Sequence, residues 1–245
     1  MKLAIITGGS KGLGLALTEK YAKENWAIKE LSRSGSAPHS VPCDFSQREA
    51  SSQCLDSLFE ELKKTPWDEI HLINNAGRLG YIGPIAKSSP SDWFASMDVN
   101  FGALVQSTGI FAQHFQGHPA RKVMAAVSSG AAKKSYQGWA LYCSTKAAME
   151  RFSSCFAEEQ KSQACPIETV IINPGIMDTN MQSEIRSSKP EDFPTLSRFI
   201  QLKENNALPQ AARVAENIYQ ILTQELEAGQ EYSAQAGLSW IGQKK

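Results

Sequence analysis

Neither sign of charge prevails in this chain: 25 lysines and arginines are matched by 25 aspartates and glutamates. A balanced surface raises no field that would recruit nucleic acid or an anionic membrane, so neither is expected as a partner. Cysteines number only five, Cys43, Cys54, Cys143, Cys155 and Cys165, with no C-x-x-C pair. An odd count without that spacing supports neither a disulfide framework nor a zinc site. Long apolar runs are missing as well. The run from Leu3 is ended by Thr7-Gly8-Gly9, too soon for a secretory core or a membrane span, and a soluble, cytoplasmic protein is expected. No internal repeat or low-complexity linker divides the 245 residues.

What the sequence does have is strand followed by helix, repeated. Leu3 to Thr7, Ile70 to Asn74, Val123 to Ser128 and Ile167 to Asn173 are apolar runs of the kind buried on both faces of a parallel sheet. Ala27 to Ser32 is a weaker strand, interrupted by Lys29 and Glu30, and a stub lies around Val41. The Ser34-Gly35-Ser36-Ala37-Pro38 linker leaves no room for a crossover helix before that stub. Helices are expected near Leu13 to Glu24, Gln47 to Lys63, Pro90 to Gln116, Trp139 to Gln163 and Pro209 to Glu227. The pattern predicts an α/β, doubly wound Rossmann fold: about seven parallel strands, helices on both faces, and a single domain over residues 1–245. Pro190 and Pro194 break the helical fragments around residues 180–208, which reads as a lid outside the sheet.

Thr7-Gly8-Gly9-Ser10-Lys11-Gly12-Leu13-Gly14 follows the first strand and opens the first helix. Glycines there allow a tight turn and let backbone N–H groups approach a pyrophosphate at the helix N-terminus. An incidental strand-to-helix turn is the plainer alternative. A site built for NAD places an acid at the end of the second strand; here that position reads Leu31-Ser32-Arg33. Arg33 and Lys11 can both pair with a 2′-phosphate, so NADPH/NADP+ is the expected cofactor unless both are ordinary solvated charges. Asp44-Phe45 follows the third-strand stub, where Asp44 suits either an adenine contact or a cap.

Tyr142-Cys143-Ser144-Thr145-Lys146 opens a predicted helix, and the four-residue offset puts Tyr142 and Lys146 on one face. A tyrosine with pKa about 10 exchanges a proton near neutrality only if a neighbouring cation stabilises its phenolate. Alone, such a pair is common helix decoration. Here Ser129, thirteen residues earlier and at the end of a buried strand, could bond a carbonyl oxygen.

Together with Asn74-Asn75-Ala76-Gly77, Asn100, Asn173-Pro174-Gly175 and Thr179, these motifs resemble the short-chain dehydrogenase/reductase superfamily from residue 3 to about residue 235. The resemblance implies that Ser129 orients a substrate carbonyl, that Tyr142 donates the proton and that Lys146 also contacts the nicotinamide ribose. It further implies a water-linked proton relay at Asn100, and a carboxamide grip from Thr179 and the Pro174-Gly175-Ile176 turn. Gly8, Ser10, Lys11, Gly12, Leu13, Arg33, Asp44, Phe45, Asn75, Ala76 and Gly77 would complete the cofactor site.

Ser128 to Lys133, Gly138 to Cys143 and Pro174 to Gln182 are similar to the sepiapterin reductase branch, and Ile185 to Ser188 with Asp192 to Glu204 to the bacterial benzil reductases. Such enzymes reduce aromatic α-diketones. Sepiapterin reductases hold the pterin with an acid near the C-terminus, whereas Tyr232 to Lys245 contains none.

Tyr81, Trp139, Met177 and Phe193 are candidates for an apolar substrate pocket or for ordinary core. Lys133-Lys134 could attract an anionic substrate or be a solvated pair. His114 and His118 share a metal-like offset without a third ligand, so no metal is expected. The expected activity is hydride transfer from NADPH to a ketone or aromatic 1,2-diketone, and by the resemblance the protein is expected to be a homodimer. The alternatives are a pterin side-chain ketone reductase and a non-catalytic NADPH-binding regulator, against which Ser129, Tyr142 and Lys146 weigh. A methyltransferase would not explain the Tyr-Lys pair.

Overall fold

The computed structural model describes residues 1–235. Its seven strands are β1 (Lys2–Thr7), β2 (Ala27–Ser32), β3 (Ser40–Pro42), β4 (Glu69–Asn74), β5 (Arg121–Val127), β6 (Ile167–Asn173) and β7 (Glu231–Ser233). All neighbours pair in parallel, in the order β3-β2-β1-β4-β5-β6-β7. This is a Rossmann-like sheet whose direction of winding reverses between β1 and β4. Clefts form at such a reversal because the flanking connections leave on opposite faces.

Side-chain alternation along β1 shows why the strands read as unbroken apolar runs. Leu3 and Ile5 enter one core with Phe59 of α2 (Arg48–Leu62), Phe111 of α4 (Ala103–Phe115) and Met149 of α5 (Ala140–Gln160). Ala4 and Ile6 enter the other, with Leu17 of α1 (Gly12–Lys23) and Ile218 of α8 (Ala211–Leu222). Both faces are covered, so most strand residues are apolar. Buried polar residues such as Glu30, Glu69, His71 and Asn74 interrupt this pattern; Glu30 in β2 lies under Gly9 and Gly35, where any Cβ would collide with its side chain.

Two expected helices differ. Pro90 to Gln116 is not continuous: α3 (Pro90–Met97) runs into a π-helical turn, Asp98–Gly102, before α4 begins. In that turn the Ala103 amide reaches back to the Asp98 carbonyl, and Asn100 faces inward, fully buried. The polar partners of Asn100 explain the turn: its side chain bonds both backbone groups of Arg78 and the Thr145 hydroxyl. The last helix stops at Leu222 instead of Glu227 because Arg121 takes the carbonyls of Leu222 and Gln224, at 3.1 and 2.7 Å.

At the base of the sheet Arg121 also binds Glu69 and, through two nitrogens, Glu168. Glu69 is further held by Lys2 at 2.7 Å and His71 at 3.0 Å. Burial of the Glu69 carboxyl opposes its ionisation, yet the bonds from His71, Lys2 and Arg121 prevail and bring its pKa down to about 2.

Between β6 and α8 the chain leaves the sheet through α6 (Asn180–Arg186) and α7 (Leu196–Glu204). Ile185, Phe193, Leu196 and Phe199 from this excursion pack on Leu79, Trp139 and Tyr142. The ion pair Lys87–Asp192 at 2.6 Å holds it between α6 and α7, and Lys203–Asp178 at 2.7 Å joins its two ends. Among the described residues no helix is long and apolar enough to cross a membrane.

Candidate active site

Gly8 adopts φ +69° and its amide donates to the Leu31 carbonyl at 2.7 Å, turning the chain sharply out of β1. A Cβ on Gly14 would strike the Gly8 carbonyl, so the opening of α1 can approach the loop only because that side chain is absent. Asn75 ties the loop to β4: its side-chain amide donates to the Thr7 and Gly8 carbonyls at 3.1 Å. The Thr7 hydroxyl in turn accepts from the amides of Asn75 and Ala76 at 3.1 and 3.0 Å.

A cleft of about 920 Å³ runs over these strand ends. At one end are Gly8, Ser10, Lys11, Gly12 and Leu13 with Arg33, Asp44 and Phe45; Asn75, Ala76 and Gly77 lie along its middle. Ser129, Tyr142, Lys146, Pro174, Gly175, Ile176 and Thr179 line the rest, Thr179 lying beside Gly12. Every predicted cofactor residue therefore lines one cavity. The two cations Lys11 and Arg33 are exposed there, and Asp44 turns a carboxylate oxygen to the Ser46 amide and hydroxyl at 3.0 and 2.8 Å. Asn100 is the exception among the catalytic candidates, lying behind the cleft in the π turn.

Tyr142 and Lys146 are both buried on the inner face of α5. Burial pushes the Tyr142 phenol above its usual pKa of 10, while a hydrogen bond with Ser129 acts in the other direction. Lys146 is drawn down to about 8 by burial, against which the Glu150 carboxylate works. The Lys146 ammonium donates to the Val127 carbonyl at 2.7 Å and lies 6.0 Å from the Tyr142 ring centroid. Glu150, one turn further along α5, accepts from the Ser128 hydroxyl at 2.6 Å and pairs with Lys133. It was not legible as a site residue, although its spacing continues the Tyr142–Lys146 face.

The substrate candidates divide. Trp139 and Met177 line the cleft, but Tyr81 and Phe193 are not among its lining residues. Tyr81 is exposed, its ring lying against Gly83. Phe193 has no exposed surface because it is stacked behind Trp139, centroids 4.6 Å apart. Apolar character alone could not tell a lining residue from its support. The cleft also gains Lys134, Tyr136, Met181, Arg198, Phe199 and Gln235. Gln235 donates to the Ile176 carbonyl at 3.1 Å, a contact created by β7 and invisible in local sequence. Lys133 is held by Glu150 and Glu231. His114 meets Asp56 and Glu60 whereas His118 meets the Thr65 carbonyl, so the two do not converge.

The family model for short chain dehydrogenases matches residues 2–190. The chain belongs to this family. It is 34% identical to benzil reductase ((S)-benzoin forming) of Bacillus cereus, with 94% of this chain and 98% of the relative covered. Sepiapterin reductase of Bos taurus is 24% identical over 90% of this chain and 89% of its own. The crystal structure of the YIR035C short chain dehydrogenase/reductase of Saccharomyces cerevisiae superposes with TM-score 0.81 at 25% identity, covering 96% of both chains. As a short chain dehydrogenase the protein is an oxidoreductase, and the family's nicotinamide cofactor suits this cleft: a glycine loop without obstructing side chains at one end, the Tyr-Lys pair at the other.

Proposed function

We propose that the protein is an NADPH-dependent carbonyl reductase acting on aromatic 1,2-diketones. The observation that carries this reading is the convergence of Ser129, Tyr142 and Lys146 on one end of a cleft whose opposite end presents Lys11 and Arg33. Those cations suit a 2′-phosphate, with no acid at the end of β2 to repel it. The benzil reductase of Bacillus cereus supports the substrate class.

Bound NADPH supplies the hydride; the chain supplies binding, orientation and protons. Ser129 donates a hydrogen bond to the substrate carbonyl oxygen. Tyr142 delivers the proton to that oxygen, and the charge on Lys146 lowers the energy of the phenolate left behind. The Pro174-Gly175-Ile176 turn and Thr179 hold the carboxamide end, while Asn100 supports proton supply toward Lys146 from behind. The excursion through α6 and α7 acts as the lid, and α4 with α5 forms the homodimer contact.

A second reading, reduction of a pterin side-chain ketone, draws on the sepiapterin reductase likeness. It is disfavoured by the lack of an acid after Glu231, a stretch of which residues 236–245 lie outside the described residues. NADPH absorbance followed with benzil and with sepiapterin separates the two. Faster consumption with benzil is expected; a higher rate with sepiapterin overturns the diketone assignment, and no consumption with either overturns the activity.

A further inference from the structure

We propose that Trp139 is a specificity-determining residue whose indole N–H donates to the second oxygen of a vicinal dicarbonyl while Ser129 and Tyr142 hold the first. This deepens the carbonyl-reductase reading and rests on it.

Trp139 is the N-cap residue of α5, three positions before Tyr142. Its ring lies edge-on to the Tyr142 ring, centroids 5.6 Å apart, and both line the cleft. The indole is also packed by Phe193 at 4.6 Å, Tyr136 at 5.1 Å and Phe199 at 5.5 Å. The orientation is therefore set by a packed aromatic cluster, not by a polar contact.

The polar edge of this ring is the anomaly. The Trp139 Nε1 atom is buried and has no hydrogen-bond partner among the described residues. Buried donors are almost always satisfied, because an unmade bond forfeits the interaction the group had with water. Trp67 and Trp93 obey the rule, donating to the Leu62 carbonyl at 2.8 Å and the Ser88 hydroxyl at 2.6 Å. At Trp139 the unsatisfied donor sits one helical turn from the proton-donating phenol, on a residue that forms the cleft wall.

A carbonyl substrate brings acceptors to this place. Its reacting oxygen is taken by Ser129 and Tyr142, so a neighbouring oxygen falls on the Trp139 side. Phe199 both lines the cleft and packs on the indole, so a substrate that reaches the N–H would have to shift the side chains packed around it. A monoketone leaves the donor unpaired, whereas a vicinal diketone satisfies it. Sites with a buried polar group discriminate strongly against analogues that lack its partner.

The test compares 1-phenyl-1,2-propanedione with propiophenone, which has the same skeleton without the second oxygen. The ratio of their kcat/KM values is measured for wild type and Trp139→Phe, with NADPH titration and thermal melting as checks on folding. A roughly tenfold or larger fall in the ratio is expected, whatever the change in either rate taken singly. Site-specific benzothienylalanine at position 139 keeps the bicyclic shape and replaces N–H by sulfur, and decides the matter if Trp139→Phe fails to fold. An unchanged ratio in folded protein, with a raised melting temperature, would mean that the N–H is only a packing cost and overturns the inference. Wild type inactive on both ketones overturns the underlying reading instead, and the inference with it.

Discussion

The Lys146 ammonium donates to the Val127 carbonyl oxygen at 2.7 Å, joining the centre of α5 to the last residue of β5. Ser128 and Ser129 follow Val127 directly. One hydrogen bond thus fixes the cation relative to the serine hydroxyl, with a longer contact to the Met149 sulfur at 3.9 Å.

Tyr142→Phe should lower the rate of diketone reduction by about 10²- to 10⁴-fold while leaving NADPH affinity nearly intact, since only the acidic hydroxyl is lost. Lys146→Ala should impair both, removing a cofactor contact and the charge that favours the phenolate. Fluorescence titration with NADPH and single-turnover reduction separate the two effects. Near wild-type turnover by Tyr142→Phe would mean that another group donates the proton.

The pH profile follows from Lys146. Its cation is present below a pKa of about 8 and is lost as pH rises through that value, so kcat/KM for reduction should be level on the acid side and fall on the alkaline side. Tyr142, whose pKa is raised by burial, stays protonated throughout this range. Glu150→Gln removes the carboxylate that supports the cation and should move the alkaline limb to lower pH. A limb that stays in place would detach Glu150 from the electrostatics of Lys146.

Arg33→Asp should shift cofactor preference toward NADH, because it would delete the proposed phosphate partner and introduce repulsion in its place. The quantity to compare is the ratio of kcat/KM values for NADPH and NADH. No change in that ratio sinks the 2′-phosphate assignment.

At the base of the sheet, Glu69 should make stability depend on acid. Its folded pKa of about 2 lies below the ordinary 4.5, so its contribution is complete above 4.5 and is lost as pH falls toward 2. Glu69→Gln should cost on the order of 1–3 kcal/mol at neutral pH, and urea melts should show the gap to wild type narrowing across that window. A gap independent of pH would assign the loss to packing.

The nucleotide end was open to sequence reasoning because its constraints are local. Gly8, Gly14 and Arg33 are each explained within a few residues of a strand end, and Tyr142 and Lys146 share a helix face by spacing alone. The substrate end was less legible. Phe193 and Trp139 look equally apolar in sequence, and only their stacking order decides which one meets the cleft. Gln235 arrives from a strand laid down after α8, and the inward turn of Asn100 depends on Arg78, distant in sequence. Glu150 was within reach, four residues beyond Lys146, but a carboxylate on a long helix reads as a solvated charge until Ser128 and Lys133 are found against it.

The π turn at Asp98–Gly102 sets two orientations that an unbroken α-helix could not reconcile. Within it, Asn100 faces Arg78 and Thr145; after it, Ser107 donates to the Asn74 side chain at 2.6 Å and Thr108 accepts from it at 3.3 Å. Each α-helical residue advances by about 100°, so deleting one residue from the turn would swing one set of partners away from the other. The extra residue works as a phase adjuster, letting the same length of chain serve α5 at one end and the centre of the sheet at the other.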